Sequence, residues 1–497
     1  MRWLYSFLWW LSLPLALLRL WWRGRKEPGY RQHIGERLGF YDGIEPASGG
    51  KLIWLHAVSV GETRAAEPLI GALLDVYPDR SLLLTHMTPT GRATGAELYA
   101  KYGDRLRQVY LPYDIPWIVR RFLKRFQPRL CILMETEVWP NLIAGCNREG
   151  VPVALVNARL SERSLKRSRR FGNLLRVAAE GIACVAAQTE ADAARLRAAG
   201  GNGVEVTGNI KFDVNPKPAL LDAGAALKAR FGGRPVLLCA STREGEEALI
   251  LDALERAVRQ AEEETEAQAA AQPAAVAEPV EAGEIEQAQH SSESPIANPE
   301  AEPGGSQTEG VALQSVVEAS SSAHASAPRH HHLPEDALLV IVPRHPQRFN
   351  DVAAALEARG IGYCRRSTLV GDVPADIHVM LGDSMGEMFA YYVASDLAFI
   401  GGSLMPLGGQ NLIEACAVGT PVLIGPHTFN FAAVSDDAVA AGAALRVKDA
   451  DDMLRQAALL LNDKEALRRM AQEAQGYAYR HRGATARTVW LLAPLLG

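Results

Sequence analysis

At 497 residues the chain is too long for one ordinary core, and two domains of roughly 150 to 200 residues plus extra material is the natural division. A hydrophobic fraction of 48% supports globular packing, while a formal net charge of -5 and a pI near 6.2 supply no global positive field. That balance argues against nucleic acid as a partner and leaves any anionic ligand to local cations. Six cysteines (Cys131, Cys146, Cys184, Cys239, Cys364, Cys416) lie far apart with no C-x-x-C, which fits buried thiols in a reducing compartment better than a disulfide framework or a zinc site.

The first element is an apolar run from Trp3 to Leu17, followed by "LRLWWRGRKEPGYRQ". A full bilayer span needs about 20 apolar residues; this run is broken by Arg19, contains Pro14, and ends in tryptophans beside Arg23, Arg25 and Lys26. Residues 1–26 therefore read as a helical membrane anchor held at the cytoplasmic face, its tryptophans at headgroup level and its cations toward anionic lipid. A short transmembrane span is the second reading and a signal peptide the third, with a buried amphipathic helix the remaining alternative.

Strand-like and helix-like stretches then alternate. "KLIWLHAV", "RSLLLTHMT", "PRLCILME", "PVALVNARL" and "GIACVAAQT" are short continuous apolar runs with helical segments between them. That is the pattern of a parallel sheet covered on both faces. This first doubly wound domain is placed at 27–215. A second series, "RPVLLCAST", "ALLVIVPRHP", "DIHVMLGD", "DLAFIGGS" and "TPVLIGP", makes a second domain of the same kind over 216–497. It is interrupted at 262–335 by a stretch rich in Ala, Glu, Pro, Ser and Gln, read as a disordered insertion that cannot bury enough apolar surface to repay its ordering entropy. His330, His331 and His332 close that stretch and read as solvated linker, with metal binding the lesser reading.

Tandem doubly wound domains are expected to bind ligands just beyond the carboxyl ends of their strands, in a shared cleft. "HAVSVGET" carries Ser59 and Glu62 at capping-box spacing, so Glu62 is either a cap or a catalytic base. "METEVWPN" puts Glu135 and Glu137 directly after a buried strand, to orient a hydroxyl, steady positive charge or cap the next helix. Lys211 in "GNIKFD" lies near the crossover between domains. "VPRHPQRF" offers Arg344 and Arg348 to a phosphate, or as a solvated turn. "GGSLMPLGGQNLIEA" reads as a glycine-rich turn opening a helix, a candidate anion site without the P-loop or dinucleotide spacing. No carboxylate–histidine metal set and no G-x-S-x-G nucleophile elbow is present in these motifs.

Taken in order, "HAVSVGET", "THMTPTG", "YLPYD", "METEVWPNLI", "NARLSERS", "VTGNIKFD", "STREGEE", "PRHPQRF", "GDSMGEM", "FIGGSL", "GGQNLIEA" and "GPHTFNF" resemble the motifs of the bacterial lipid A Kdo (3-deoxy-D-manno-octulosonic acid) transferases, glycosyltransferases of GT-B architecture. The resemblance covers nearly the whole chain except 262–335. It implies two Rossmann-like domains, an anchor at the cytoplasmic face of the bacterial inner membrane, and transfer of Kdo from CMP-Kdo to lipid IVA in lipopolysaccharide biosynthesis. It further implies inversion at the anomeric carbon, with no metal and no cofactor beyond the donor. Carried over by motif, Glu62 is the general base, and Glu135 and Lys211 stabilise the transition state. CMP is held by Pro343 and Arg344, by Met385, Gly386 and Glu387, and by Asn411, Leu412, Ile413 and Glu414. Ser384 replaces the threonine usual in "GDSMGE" and keeps the hydroxyl. Two other readings are a GT-B enzyme using a UDP-sugar and a membrane-tethered carbohydrate-binding protein without catalysis.

Overall fold

The computed structural model of the chain describes residues 1–43, 51–168, 173–271 and 332–497. These form two compact units: Met1–Pro218 with Gln475–Gly497, and Ala219–Ala474.

The first unit is built on a seven-stranded sheet of β1 (Leu52–His56), β2 (Ser81–His86), β3 (Leu106–Tyr110), β4 (Leu130–Met134), β5 (Val153–Ala158), β6 (Cys184–Ala187) and β7 (Val204–Val206), in the order β3-β2-β1-β4-β5-β6-β7. Every pairing is parallel, for example Trp54 with Leu83 on one side and with Cys131 on the other. The central strands β1, β4 and β5 are buried at every residue, because helices cover both faces. One face packs Trp54, Phe122, Leu142 and Ile143, the other Ile53, Leu69, Leu73 and Leu84.

The second unit repeats the plan with β8 (Val236–Thr242), β9 (Leu338–Pro343), β10 (Tyr363–Arg365), β11 (Val379–Leu381), β12 (Leu397–Ile400), β13 (Val422–Ile424) and β14 (Ala444–Arg446), ordered β10-β11-β9-β8-β12-β13-β14 and again all parallel. The strand order reverses on either side of β1 and β8, which marks the switch point of a doubly wound sheet.

Two boundaries differ from expectation. The second unit ends at Ala474 rather than at 497, because the helix Ala484–Leu496 returns to the first unit and buries Ala484, Leu492 and Leu496 in the core that holds Ile70 and Leu73. Asp213 fixes this return by accepting the Gly483 N–H at 2.6 Å and the Thr485 N–H, which caps the helix. The insertion expected from 262 also starts later: the helix Glu246–Ala271 runs on through "EEETEAQAAA", whose Ala, Glu and Gln are strong helix formers. On the far side, Leu333 packs against the second core. His332 meets Glu264 at 2.9 Å. His330, His331 and the rest of the insertion between Ala271 and His332 lie outside the described residues.

Candidate active site

In the first unit, three strand ends bring acids and cations together. After β1 the chain runs extended through Ser59 into the short helix Val60–Ala65. The expected capping box is half made. Ser59 offers no side-chain cap, and Glu62 reaches back past it to accept the Val58 N–H at 2.8 Å. The serine carbonyl instead receives the Thr63 N–H and the Thr63 hydroxyl, both at 2.9 Å. This backward reach ties one Glu62 oxygen to the backbone and fixes the carboxyl. Burial raises its pKa to about 7; the Val58 N–H opposes the rise, Glu135 and Glu137 add to it, and Lys211 offsets part. Desolvation thus outweighs the single backbone donor.

Glu135 follows β4 directly and adopts a left-handed backbone, φ 56°, rare for a residue with a Cβ. Its N–H still bonds Val156 of the neighbouring strand at 2.9 Å, so the twist turns the side chain without breaking the ladder. The carboxylate is buried and doubly paired: Lys211 Nζ lies 2.7 Å from one oxygen, and Arg159 Nη2 and Nε lie 3.0 and 3.1 Å from the other. Burial pushes this carboxyl up, but the Lys211 and Arg159 charges win and hold it below its ordinary value. Glu137, two residues on, has no such cations; burial raises its pKa, the Trp139 side chain lowers it and Glu135 raises it.

Lys211 is delivered by a 3₁₀ turn, Ile210–Asp213, that is pinned at three points. Asn157 at the end of β5 accepts the Ile210 N–H at 3.1 Å, Asn209 accepts the Lys211 N–H at 3.0 Å, and Asp213 holds the C-terminal helix. Phe212 adds a stack on His481 at 4.7 Å. The structure thus joins Glu62, Glu135 and Lys211 in one electrostatic neighbourhood. It adds Arg159, directly after the buried strand β5, and Asn157, at the end of that strand, both in "VNARL", a position that could have singled them out.

In the second unit the organising residue is Glu246 of "STREGEE", also not singled out from sequence. It is fully buried, and its carboxylate accepts the N–H groups of Arg243 (2.9 Å), Leu404 (2.9 Å) and Gly402 (2.5 Å). One acid therefore binds the loop after β8 to the "GGSL" loop after β12. A side chain at Gly401 has no room, since its Cβ would come within 2.5 Å of the Ser241 carbonyl oxygen. Arg344, after β9, joins the same loop through its N–H to Thr242 at 2.9 Å. Burial together with the Arg243 and Arg344 guanidiniums holds His345 below its ordinary pKa. Arg348 is engaged elsewhere, with Glu247 at 3.4 Å and Asp351 at 3.1 Å.

The remaining expected contacts occupy two loops of this unit. In "GDSMGEM", Ser384 donates to Glu387 at 2.5 Å and bonds the Tyr391 hydroxyl at 2.6 Å, while Arg366 holds the other Glu387 oxygen at 3.2 Å. A threonine hydroxyl would make the same bonds. Met385 is 59% exposed, and Gly386 has φ 80°, a conformation that favours glycine. At "GGQNLIEA" the expected anion site at a helix N-terminus is not formed as such. The helix Ile413–Ala417 has five residues, and the first N–H it offers, that of Ile413, is taken by Asn411 Oδ1 at 3.1 Å. Leu412 and Ile413 are fully buried, so only their backbone can face a ligand; Asn411 Nδ2 instead bonds Glu414 at 3.2 Å.

Residues 32–214 match a family profile described as 3-deoxy-D-manno-octulosonic-acid transferase (kdotransferase). Over 97% of both chains the protein is 42% identical to the 3-deoxy-D-manno-octulosonic acid transferase of Bordetella pertussis. The chain belongs to the Kdo transferase family. The Haemophilus influenzae enzyme of the same name is 34% identical over all of this chain and 99% of its own. Glu62, Glu135, Arg159 and Lys211 fall inside the Kdo transferase profile, and a second profile, Glycosyl transferases group 1, spans residues 372–477 and includes the Glu387 and Asn411 loops. Among solved structures, a putative UDP-N-acetylglucosamine 2-epimerase from Listeria monocytogenes covers 89% of this chain and 95% of its own at 14% identity and a TM-score of 0.50. At that identity the likeness shows the fold alone, the two-unit α/β plan of the GT-B class. Among the described residues no cluster of His, Cys, Asp and Glu is arranged to hold a metal ion.

Proposed function

We propose that this Kdo transferase moves Kdo from CMP-Kdo to lipid IVA in lipopolysaccharide biosynthesis, at the cytoplasmic face of the bacterial inner membrane, with inversion and without a metal. The observation that carries the mechanism is Glu62, an acid fixed by the Val58 N–H and lifted to about 7, where a carboxylate is both available and basic enough to work. Its anion accepts the proton of a glucosamine hydroxyl of the lipid as that oxygen bonds to the Kdo anomeric carbon. The bond from that carbon to the phosphate oxygen breaks, and CMP departs with the electron pair. Glu135, kept anionic by Lys211 and Arg159, offsets the positive charge that grows on the sugar, and Lys211 offsets negative charge on the leaving group. In the second unit Pro343, Arg344, the Met385–Gly386–Glu387 loop and the Asn411–Glu414 segment hold the nucleotide.

Incubating the protein with CMP-Kdo and lipid IVA, with product mass as readout, tests this. One or more added Kdo units and released CMP is the expected result. Thermal protection by UDP in preference to CMP would refute the donor, and an unchanged cellular role for Glu62→Gln would favour a binding protein over an enzyme.

A further inference from the structure

The second sheet changes direction at its central strand. β9 and β12 flank β8, and the crevice beyond the carboxyl ends of these three strands is the switch point at which a doubly wound sheet binds ligands. There β8 ends in a bulge. Ala240 pairs with Val342 and Thr242 with Pro343, so Ser241 is one residue more than β9 can match, and it takes a left-handed backbone at φ 56°, rare for a residue with a Cβ. A bulge re-aims the residues that follow it, and the second of these is Arg243.

Arg243 lies between two loops. On one side is the glycine loop after β12, where a Cβ at Gly402 would stand 3.6 Å from Arg243 Cγ. On the other is the loop after β9, where the Arg243 and Arg344 charges both act on His345. The Arg243 backbone is fixed, since Glu246 accepts its N–H at 2.9 Å and returns an N–H to its carbonyl at 3.0 Å. Its guanidinium has no such tie: among the described residues no acid or carbonyl bonds it. The acids beside it are engaged or turned to water. Both Glu246 oxygens carry backbone N–H groups, Glu247 takes the Thr242 hydroxyl at 2.9 Å and Arg348 at 3.4 Å, and Glu244 is exposed. Other cations of this unit that are unbonded among the described residues, Arg259, Lys448, Lys464 and Arg468, are exposed, as solvated surface charges are. Arg243 is half-buried, where a charge without a counter-ion is costly. A ligand anion would supply one.

The proposed donor presents two anions at one carbon. Kdo is an ulosonic acid, so its anomeric carbon bears a carboxylate as well as the oxygen of the CMP phosphate. Arg344 serves the nucleotide. A second cation, near enough to act on the same histidine, matches the second anion, and a guanidinium can grip a carboxylate at two points. We propose that Arg243 binds the carboxylate of the donor sugar and thereby selects a sugar acid over a neutral sugar. This rests on the reading of CMP-Kdo as the donor and adds a subsite to it.

The test places Arg243→Gln and Arg243→Lys in the full chain and measures Kdo transfer to lipid IVA at varied CMP-Kdo, inhibition by CMP, and thermal protection by CMP. CMP lacks the carboxylate, so it reports the nucleotide site alone. Because the side chain ties nothing among the described residues, its loss should leave the fold intact. Arg243→Gln is expected to raise the KM for CMP-Kdo about tenfold or more, with kcat little changed. Arg243→Lys should raise it less, since an ammonium keeps the charge and loses the two-point grip. The inhibition constant of CMP and its thermal protection should match those of the unmodified chain in both variants. An unchanged KM for CMP-Kdo in Arg243→Gln overturns the proposal. So does a CMP inhibition constant that rises in step with KM, which would move Arg243 to the phosphate. An unmodified chain that neither transfers Kdo nor is protected by CMP refutes the donor reading and the subsite with it, whereas normal transfer by the unmodified chain with KM unmoved in the variant refutes the subsite alone.

Discussion

Glutamine in place of Glu62 should remove transfer and make the fold more stable, and the two effects have one cause. In the folded protein the carboxyl titrates near 7, against an ordinary 4.5. For an acid whose folded pKa is raised, the contribution to stability is fully present below the unfolded value and is lost as pH rises through the folded one. At about 1.4 kcal/mol per pH unit, ionised Glu62 therefore costs the first unit roughly 3 kcal/mol at pH 8 and about 1 kcal/mol at pH 5.5. Glu62→Gln keeps an oxygen for the Val58 N–H but carries no charge to desolvate. Urea unfolding of the first unit should show the variant more stable at pH 8, with the gain shrinking toward pH 5.5. Loss of a general base removes about 10²- to 10⁴-fold in rate, and kcat/KM of the unmodified enzyme should fall about fivefold from pH 7 to pH 6 as Glu62 takes up its proton. A variant that is less stable at pH 8, or a flat kcat/KM between pH 6 and pH 8, refutes the account of Glu62 as a desolvated base.

Lys211→Met leaves the buried Glu135 carboxylate with Arg159 alone and should cost about 1–3 kcal/mol in urea unfolding at pH 7, together with most of the transfer rate. Arg159→Lys keeps a charge but loses the two-point grip on one oxygen, so a partial loss in kcat, with Arg159→Ala worse, is the expected order. Glu246→Gln turns one of two accepting oxygens into a donor facing a backbone N–H and should cost about 1–3 kcal/mol; thermal protection by CMP should weaken with it. A chain ending at Ala474 strips Leu492 and Leu496 from the first core, and should expose apolar surface to a hydrophobic dye even though the second unit is complete. Asp213→Ala should show a milder form, about 1 kcal/mol, by uncapping the same helix.

What could be read from the sequence follows burial. The ten strands expected from continuous apolar runs all exist, and the four not expected, β3, β7, β10 and β14, are the two edges of each sheet. An edge strand has one neighbour and less cover: β10 has no fully buried residue, and β7 and β14 have one each. Such strands lack the unbroken apolar run that marks an interior one. The long return of the Ala484–Leu496 helix was illegible for another reason. Its partners, Ile70, Leu73 and the cap Asp213, lie more than 250 residues earlier in the chain, and local patterns carry no information about partners at that distance.

The site divides along the same line. Glu135 is legible because it follows a buried strand at once, and Glu62 because it sits on the first turn of the helix that follows one, where a doubly wound sheet places its chemistry. Their charge states are not, because they depend on side chains distant in sequence. Glu135 has Lys211, 76 residues on, and Arg159, 24 residues on, at its two oxygens and is held below its ordinary pKa. Glu62 is raised by burial, with one backbone donor opposing and two acidic neighbours adding to the rise. Two glutamates of the same motif class thus take opposite protonation behaviour from the cations the fold supplies. That difference suits one to carry fixed charge and the other to accept a proton: with Lys211 and Arg159 both neutralised, Glu135 loses the charges that hold it down and should titrate above its ordinary value, and an NMR titration of its carboxyl that still falls below that value would refute the assignment of its charge to those two cations.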